Sequence, residues 1–175
     1  MRKNKTTTYS LITAYLFAIV LANWSIERWG PEAAIYNAFV FIGLDLVARD
    51  YLSDLWQGKF FWTKITGLIL SGSLLSYFLV ENAEKIAVAS AIAFGVAAII
   101  DTIVYQSVKR KPWLERSNTS NIFGSFADSI VFQTIAFGWA FPFIFAQAVA
   151  KIAGGVVWSI IINRFKNENT STPGA

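Results

Sequence analysis

Cysteine and histidine are both missing from the 175 residues. Their absence excludes a thiolate or imidazole metal site, a Ser-His triad, a disulfide staple and a histidine pH switch. Carboxylates and amides must do any chemistry, and no cofactor is expected. Charge is scarce as well: 15% of the residues are Asp, Glu, Lys or Arg, against about 25% in an ordinary soluble domain. With 55% of the chain apolar, that scarcity argues against a water-soluble enzyme. The net charge of +4 would hint at nucleic acid in a soluble protein. Here its placement relative to the apolar spans matters more, and no nucleic-acid partner is expected.

What remains is long apolar runs, and six of roughly 20 residues would use about 120 positions. The first, Tyr9 to Ile26, has 18 residues without a charge. A signal peptide would need a small-residue cleavage site after it. Instead Ala14, Ala18 and Ala22 form a stripe at four-residue spacing, which suits helix packing. The second span runs from Ala33 to Leu52, the third from Ile65 to Val80 and the fourth from Ile86 to Val108. Between Asn118 and Asn163 lie 46 residues with only Asp128 and Lys151 ionisable. As one helix that stretch would be roughly 69 Å long, more than twice the thickness of a hydrocarbon core. It must cross twice, reversing at Gly138-Trp139-Ala140-Phe141-Pro142. The expected organisation is a cytoplasmic tail over residues 1–8, a six-helix transmembrane domain over 9–166 and a disordered tail over 167–175.

Threading six helices puts twelve Lys and Arg on one side, among them Arg2, Lys3, Lys5, Lys64, Lys109, Arg110, Lys111 and Arg164, and only Arg28 and Lys85 on the other. The positive-inside rule then places both termini in the cytoplasm. Aromatic residues at span ends, such as Phe60-Phe61-Trp62 and Trp113, suit interface anchors, so the lipid bilayer is itself a partner.

A charged side chain in a membrane helix costs about 2.5 to 3.5 kcal/mol on insertion scales, so each needs a partner or a purpose. Asp45, Arg49, Asp101, Asp128 and Lys151 sum to minus one. Complete pairing leaves one carboxylate over. Asp45 and Arg49 stand four apart on one helix face, as a local ion pair or as ligand contacts. Asn121, Ser125, Asp128 and Phe132 follow a single helical face, with Ser129 adjacent. An aromatic beside an amide, a hydroxyl and a carboxylate suits a flat polar ligand, while a hydrogen-bonding seam between helices is the rival reading. Gln147, Lys151, Gly154 and Trp158 share a face of the last helix, where the glycines permit a close neighbour and Lys151 can neutralise Asp101 or Asp128. Asp101 and Tyr105 share a face of the fourth.

The block from Asp101 to Phe137, with its core S-N-I-F-G-S-F-A-D-S-I-V-F at Ser120 to Phe132, resembles the vitamin uptake transporter family that includes the queuosine precursor transporters. G-L-D-L-V-A-R-D at Gly43 to Asp50, L-A-N-W at Leu21 to Trp24 and the lysine of the last helix extend the likeness over nearly all six spans. The resemblance implies an all-α fold of six transmembrane helices similar to the substrate-binding components of energy-coupling-factor transporters. It also implies uptake of 7-cyano-7-deazaguanine or its aminomethyl analogue across the cytoplasmic (inner) membrane.

On that reading Asp128 or Asp45 accepts the ring N-H and amino donors of a guanine-like edge. Asn121, Gln147 or Lys151 donates to its carbonyl, and Phe132 or Trp158 stacks on the ring. The surplus carboxylate is a candidate for proton coupling, and a second copy of the chain is a further candidate partner. Two other readings compete. One is a binding subunit that needs a separate energising module, docked on the Ala14, Ala18 and Ala22 stripe. The other is a non-transporting scaffold whose charges only join helices. An enzyme is least expected, since no nucleophile-base pair or metal cluster is present.

Overall fold

The computed structural model describes residues 2–56, 58, 60–79 and 84–170, and among them there is no strand. Helix α1 is Arg2–Trp29; the second rod is built of α2, Ala33–Asn37, a π-helix, Ala38–Ile42, and α3, Gly43–Leu55. It is followed by α4, Phe61–Leu79, α5, Glu84–Ser107, α6, Trp113–Phe137, and α7, Phe141–Thr170. Helical backbone at Asn37, Ala38, Ile42 and Gly43 carries the second rod through without a break. Six rods result, in agreement with the six expected spans.

The punctuation between rods is chemical. Pro112, with an extended ψ of 151°, stands at the start of α6, where its missing N–H costs nothing. Gly138 ends that helix at φ 93°, a conformation that a side chain would resist. The N–H of Gly138 still bonds back to the Thr134 carbonyl at 3.1 Å. Pro142 is the second residue of α7, a position in the first turn that proline tolerates. The reversal lies where the sequence predicts it.

The ends differ from expectation. Helix α1 begins at Arg2 and α7 runs to Thr170, so most of the expected N-terminal tail and part of the expected C-terminal one are helical. Neither segment contains Gly or Pro to stop a helix that has already nucleated. Of the polar turn expected from the sequence over Glu81 to Lys85, Glu84 and Lys85 instead open α5, while residues 81–83 and the tail from 171 to 175 lie outside the described residues.

The rods close into a ring. Going around it, α1 packs on α4, α4 on α5, α5 on α6, α6 on α7, α7 on the second rod and the second rod on α1. The ring is apolar outside, and inside it buried polar side chains stand among apolar core residues such as Tyr15, Ile19, Leu52 and Phe94, unlike a water-soluble bundle. Ile99, Ile103, Phe123, Phe145 and Val149 are exposed, whereas Asp45, Arg49, Asn121, Ser125, Asp128, Gln147 and Lys151 are all at most 2% exposed. Such a distribution buries polar groups against one another and leaves hydrocarbon for lipid. Among the described residues, three helical segments are long and apolar enough to cross a membrane on composition alone, Thr8–Trp29, Glu84–Ser107 and Phe141–Arg164. The second rod and α6 are less apolar because their inward faces carry the polar residues.

Ala18 and Ala22 of the α1 stripe are 2% exposed, covered by the chain itself. The expected docking stripe is therefore not a free face. The small-residue contact expected for the last helix is present: Gly154 and Gly155 lie directly against Gly43, and Gly154 against the carbonyl of Phe39.

Candidate functional site

A narrow cavity, whose free volume of about 20 Å³ is that of about one water molecule, opens inside the ring. Its walls come from the last turns of α1 (Ala22, Asn23, Ile26), the second rod (Ala34, Asn37, Ile42), the first half of α5 (Ser90, Phe94), the second half of α6 (Asp128, Phe132) and α7 (Gln147, Lys151). All of these positions lie toward the end of the ring where α1 finishes and α5 and α7 begin. Asn37 also borders a shallow depression at that end, lined by Trp29, Glu32 and Tyr36.

Helical spacing builds each wall. Asp128 and Phe132 are four apart on α6, as are Gln147 and Lys151 on α7, so each pair shares a face. Lys151 Nζ stands 2.5 Å from Asp128 Oδ2 and donates to Ser129 Oγ at 3.0 Å. The lysine thus has two partners on α6, while the second oxygen of Asp128 has none among the described residues. Across the cavity, Ser90 Oγ donates to Asn23 Oδ1 at 2.9 Å. That bond fixes the amide and leaves Asn23 Nδ2 buried without an acceptor. Asn37 Nδ2 donates to the Ala22 carbonyl at 3.0 Å and to Ser25 Oγ at 2.6 Å, tying the second rod to α1. Gln147 Nε2 donates to Gln133 Oε1 at 2.8 Å. The cavity therefore presents one free carboxylate oxygen, one free amide N–H group and the rings of Phe94 and Phe132. Buried polar atoms left this way are rare unless a ligand or water completes them.

The structure brings Asp128, Ser129, Phe132, Gln147 and Lys151 together here, and of the two acids proposed for Lys151 it pairs with Asp128. It places Asp45, Arg49 and Asp101 elsewhere, in a second buried polar cluster toward the opposite, basic end. Arg49 NH2 lies 3.9 Å from Asp45 Oδ2, and Arg49 NH1 donates to the Phe94 carbonyl at 3.4 Å. Asp101 neighbours Asp50 and Ser120, and Ser117 Oγ donates to Asp50 Oδ2 at 2.5 Å. Asn121 and Ser125, two turns and one turn before Asp128 of the cavity, are buried, and neither side chain has a hydrogen-bond partner among the described residues. The amide of Asn121 rests on the backbone of Gly155. Trp158 does not line the cavity: its indole Nε1–H donates to the Val40 carbonyl at 2.9 Å, pinning α7 to the π-helix.

Asn23, Asn37, Ser90 and Asp50 are the residues that sequence reasoning passed over. Asn23 had a signal, an amide within an uncharged span and inside the L-A-N-W motif. Asn37, Ser90 and Asp50 fall near span ends, where a polar residue is ordinary.

A closed ring of helices with lipid-facing apolar side chains around a narrow cavity edged by buried polar groups defines a polytopic membrane protein with a candidate internal solute site. Residues 8–166 match the family model described as "Putative vitamin uptake transporter". The chain belongs to the vitamin uptake transporter family, a family of membrane transporters. No curated protein matches it, and no solved structure does.

Proposed function

We propose that the protein imports a queuosine precursor, 7-cyano-7-deazaguanine or 7-aminomethyl-7-deazaguanine, across the cytoplasmic membrane, with both termini in the cytoplasm and the cavity toward the outside. The observation that carries this reading is the pair of unsatisfied groups in the cavity, Asp128 Oδ1 and Asn23 Nδ2, beside Phe94 and Phe132. A 7-deazaguanine offers N–H donors on its ring and amino group next to a carbonyl acceptor on one flat edge. The carboxylate oxygen accepts from the donors, the amide donates to the carbonyl, and the aromatic rings cover the apolar faces. Lys151 holds the Asp128 side chain in place, because its ammonium serves both Asp128 and Ser129.

Ala18 and Ala22 are buried within the chain, so of the stripe argued for an energising module Ala14 alone is partly exposed, which supports a chain that works alone. Purified protein in liposomes tests both points. Saturable uptake of 7-cyano-7-deazaguanine without any other protein is expected. Binding without uptake would make the chain a subunit, and no saturable binding of either deazapurine would overturn the substrate.

A further inference from the structure

The cluster at the basic end holds more acid than base. Asp45, Asp50 and Asp101 surround the single guanidinium of Arg49, and each is at most 3% exposed. Asp54, one turn further on, has its own partners: Arg116 NH2 at 3.9 Å and the Tyr105 hydroxyl at 3.0 Å. Asp128 is matched by Lys151. Ionised throughout, the buried interior would carry two uncompensated negative charges, a state that a low-dielectric environment strongly opposes.

The geometry shows where a proton relieves this. The side chains of Asp50 and Asp101 lie within hydrogen-bonding reach of each other across α3 and α5. Carboxylate oxygens have no hydrogen to offer, so two carboxyls in such contact must share a proton. Ser117 donates to Asp50 Oδ2 and Ser120 stands by Asp101. Asp101 Oδ1 has no donor among the described residues. Gly124 of α6 sits directly against Asp101, so the pair is packed on three sides by helices. Around it stand Asp45 and Arg49 of α3, with Asp54 of α3, Tyr105 of α5 and Arg116 of α6 beside them.

We propose that Asp50 and Asp101 form a proton-binding site, sharing one proton that serves as the coupling ion of the import cycle. Arg49 links this site to the solute cavity, because its guanidinium lies among the carboxylates and also donates to the carbonyl of Phe94, a cavity wall residue. Loss of the proton adds a negative charge beside Arg49 and draws the guanidinium away from that wall. Occupancy of the cavity and protonation of the pair are thereby connected.

Two measurements test this, and only the second rests on the reading of the chain as a deazapurine importer. In the first, infrared spectra of the full chain carrying 13C-labelled aspartate are taken in lipid at neutral pH. The expected result is a protonated-carboxyl carbonyl band that shifts or disappears in both Asp50→Asn and Asp101→Asn. Absence of that band in the unsubstituted protein, or a band that neither variant alters, would overturn the site. Absence of the band from the unsubstituted protein overturns the site even if the variants fail to fold, and Asp50→Glu and Asp101→Glu, which move the band without removing the carboxyl, then assign it. In the second, liposomes with an alkaline interior are supplied with 7-cyano-7-deazaguanine. One pH unit is worth about tenfold accumulation of a neutral solute moved with one proton. The unsubstituted protein is expected to approach that ratio and Asp101→Asn to reach only equal concentrations. Uptake that ignores the gradient would overturn the coupling. No uptake of the probe at all would count against the substrate, while the infrared result would still decide the proton site.

Discussion

Gly154 lies against the carbonyl oxygen of Phe39 with no space for a methyl group between them. This contact joins the middle of α7 to the π-helix of the second rod, and the same stretch receives the Trp158 indole at the next carbonyl, Val40. A π-turn widens the helix and frees carbonyls from the regular ladder, a feature common near functional sites. Here Asn37 immediately before it and Ile42 at its end both line the cavity. The close crossing therefore sets the shape of one cavity wall.

Gly154→Ala is expected to lower the melting temperature of the purified protein clearly, because the new Cβ meets backbone on the neighbouring rod rather than a movable side-chain end. Overpacking of this kind costs about 1 to 3 kcal/mol. Gly67→Ala is the control: nothing lies within 4 Å of a Cβ there, and alanine is favoured over glycine in a helix by about 1 kcal/mol. Equal melting temperatures for the two variants would show that the crossing is looser than described.

The orientation has a direct test. Reporter fusions at the loop Lys109 to Lys111 and at Asn169 should both report the cytoplasm, since the basic residues gather at that end. An external report from either site would invert the proposed direction of the cavity.

Much of this architecture is legible in the residues because a bilayer imposes few rules. The 46-residue stretch from Asn118 to Asn163 had to fold back, and Gly138 and Pro142 marked the place. The polar face Asn121, Ser125, Asp128 was also legible, through helical spacing. Its division was not: Asp128 borders the cavity while Asn121 rests on Gly155 of α7. Periodicity assigns a residue to a face, but the depth at which a neighbouring helix closes over that face depends on the crossing. The π-helix was likewise invisible, since Ala-Phe-Val-Phe-Ile reads as ordinary apolar helix and only the packing of Gly154 reveals the distortion. Asp50 was hidden by its closeness to the end of its span.

The cavity makes a specific demand on Asn23. Removing its free Nδ2 donor in Asn23→Ala should weaken binding of 7-cyano-7-deazaguanine about ten- to a hundredfold, the cost of about 1 to 3 kcal/mol for an unmet buried acceptor. Ser90→Ala should weaken it less, because Ser90 only orients the amide. Equilibrium binding to detergent-solubilised protein reads both, and the reverse order would remove Asn23 from the ligand edge.

The ion pair Asp128–Lys151 must be tested as a pair. Asp128→Asn removes a ligand acceptor but also strands a buried ammonium, and breaking one side of a buried pair costs about 3 to 5 kcal/mol. A loss of uptake in that variant alone therefore means little. Asp128→Asn combined with Lys151→Gln removes both charges and lets the two amides bond across the same gap. The double variant should recover most of the folded yield while uptake stays lost, because the carboxylate facing the substrate is gone. Recovery of uptake together with folding would reduce the pair to a helix-joining role and take Asp128 out of the site.

Arg49 and Asp45 offer an asymmetric version of the same experiment. They stand 3.9 Å apart, but the guanidinium also has Asp50 and Asp101 as neighbours, whereas the nearest cation to Asp45 is Arg49 itself. Asp45→Ala leaves the arginine with two acids around it. Arg49→Ala leaves three buried acids with no cation among them and deprives the Phe94 carbonyl of its donor. Folded yield in the membrane should therefore fall far more for Arg49→Ala, by an amount in the range of about 3 to 5 kcal/mol for an uncompensated buried charge, than for Asp45→Ala. The double variant should regain only part of the loss, since Asp50 and Asp101 remain. A simple two-residue pair predicts otherwise: similar losses in the two single variants and nearly full recovery in the double. Expression, melting temperature and uptake measured side by side distinguish the two outcomes, and full recovery would show that Arg49 serves Asp45 alone.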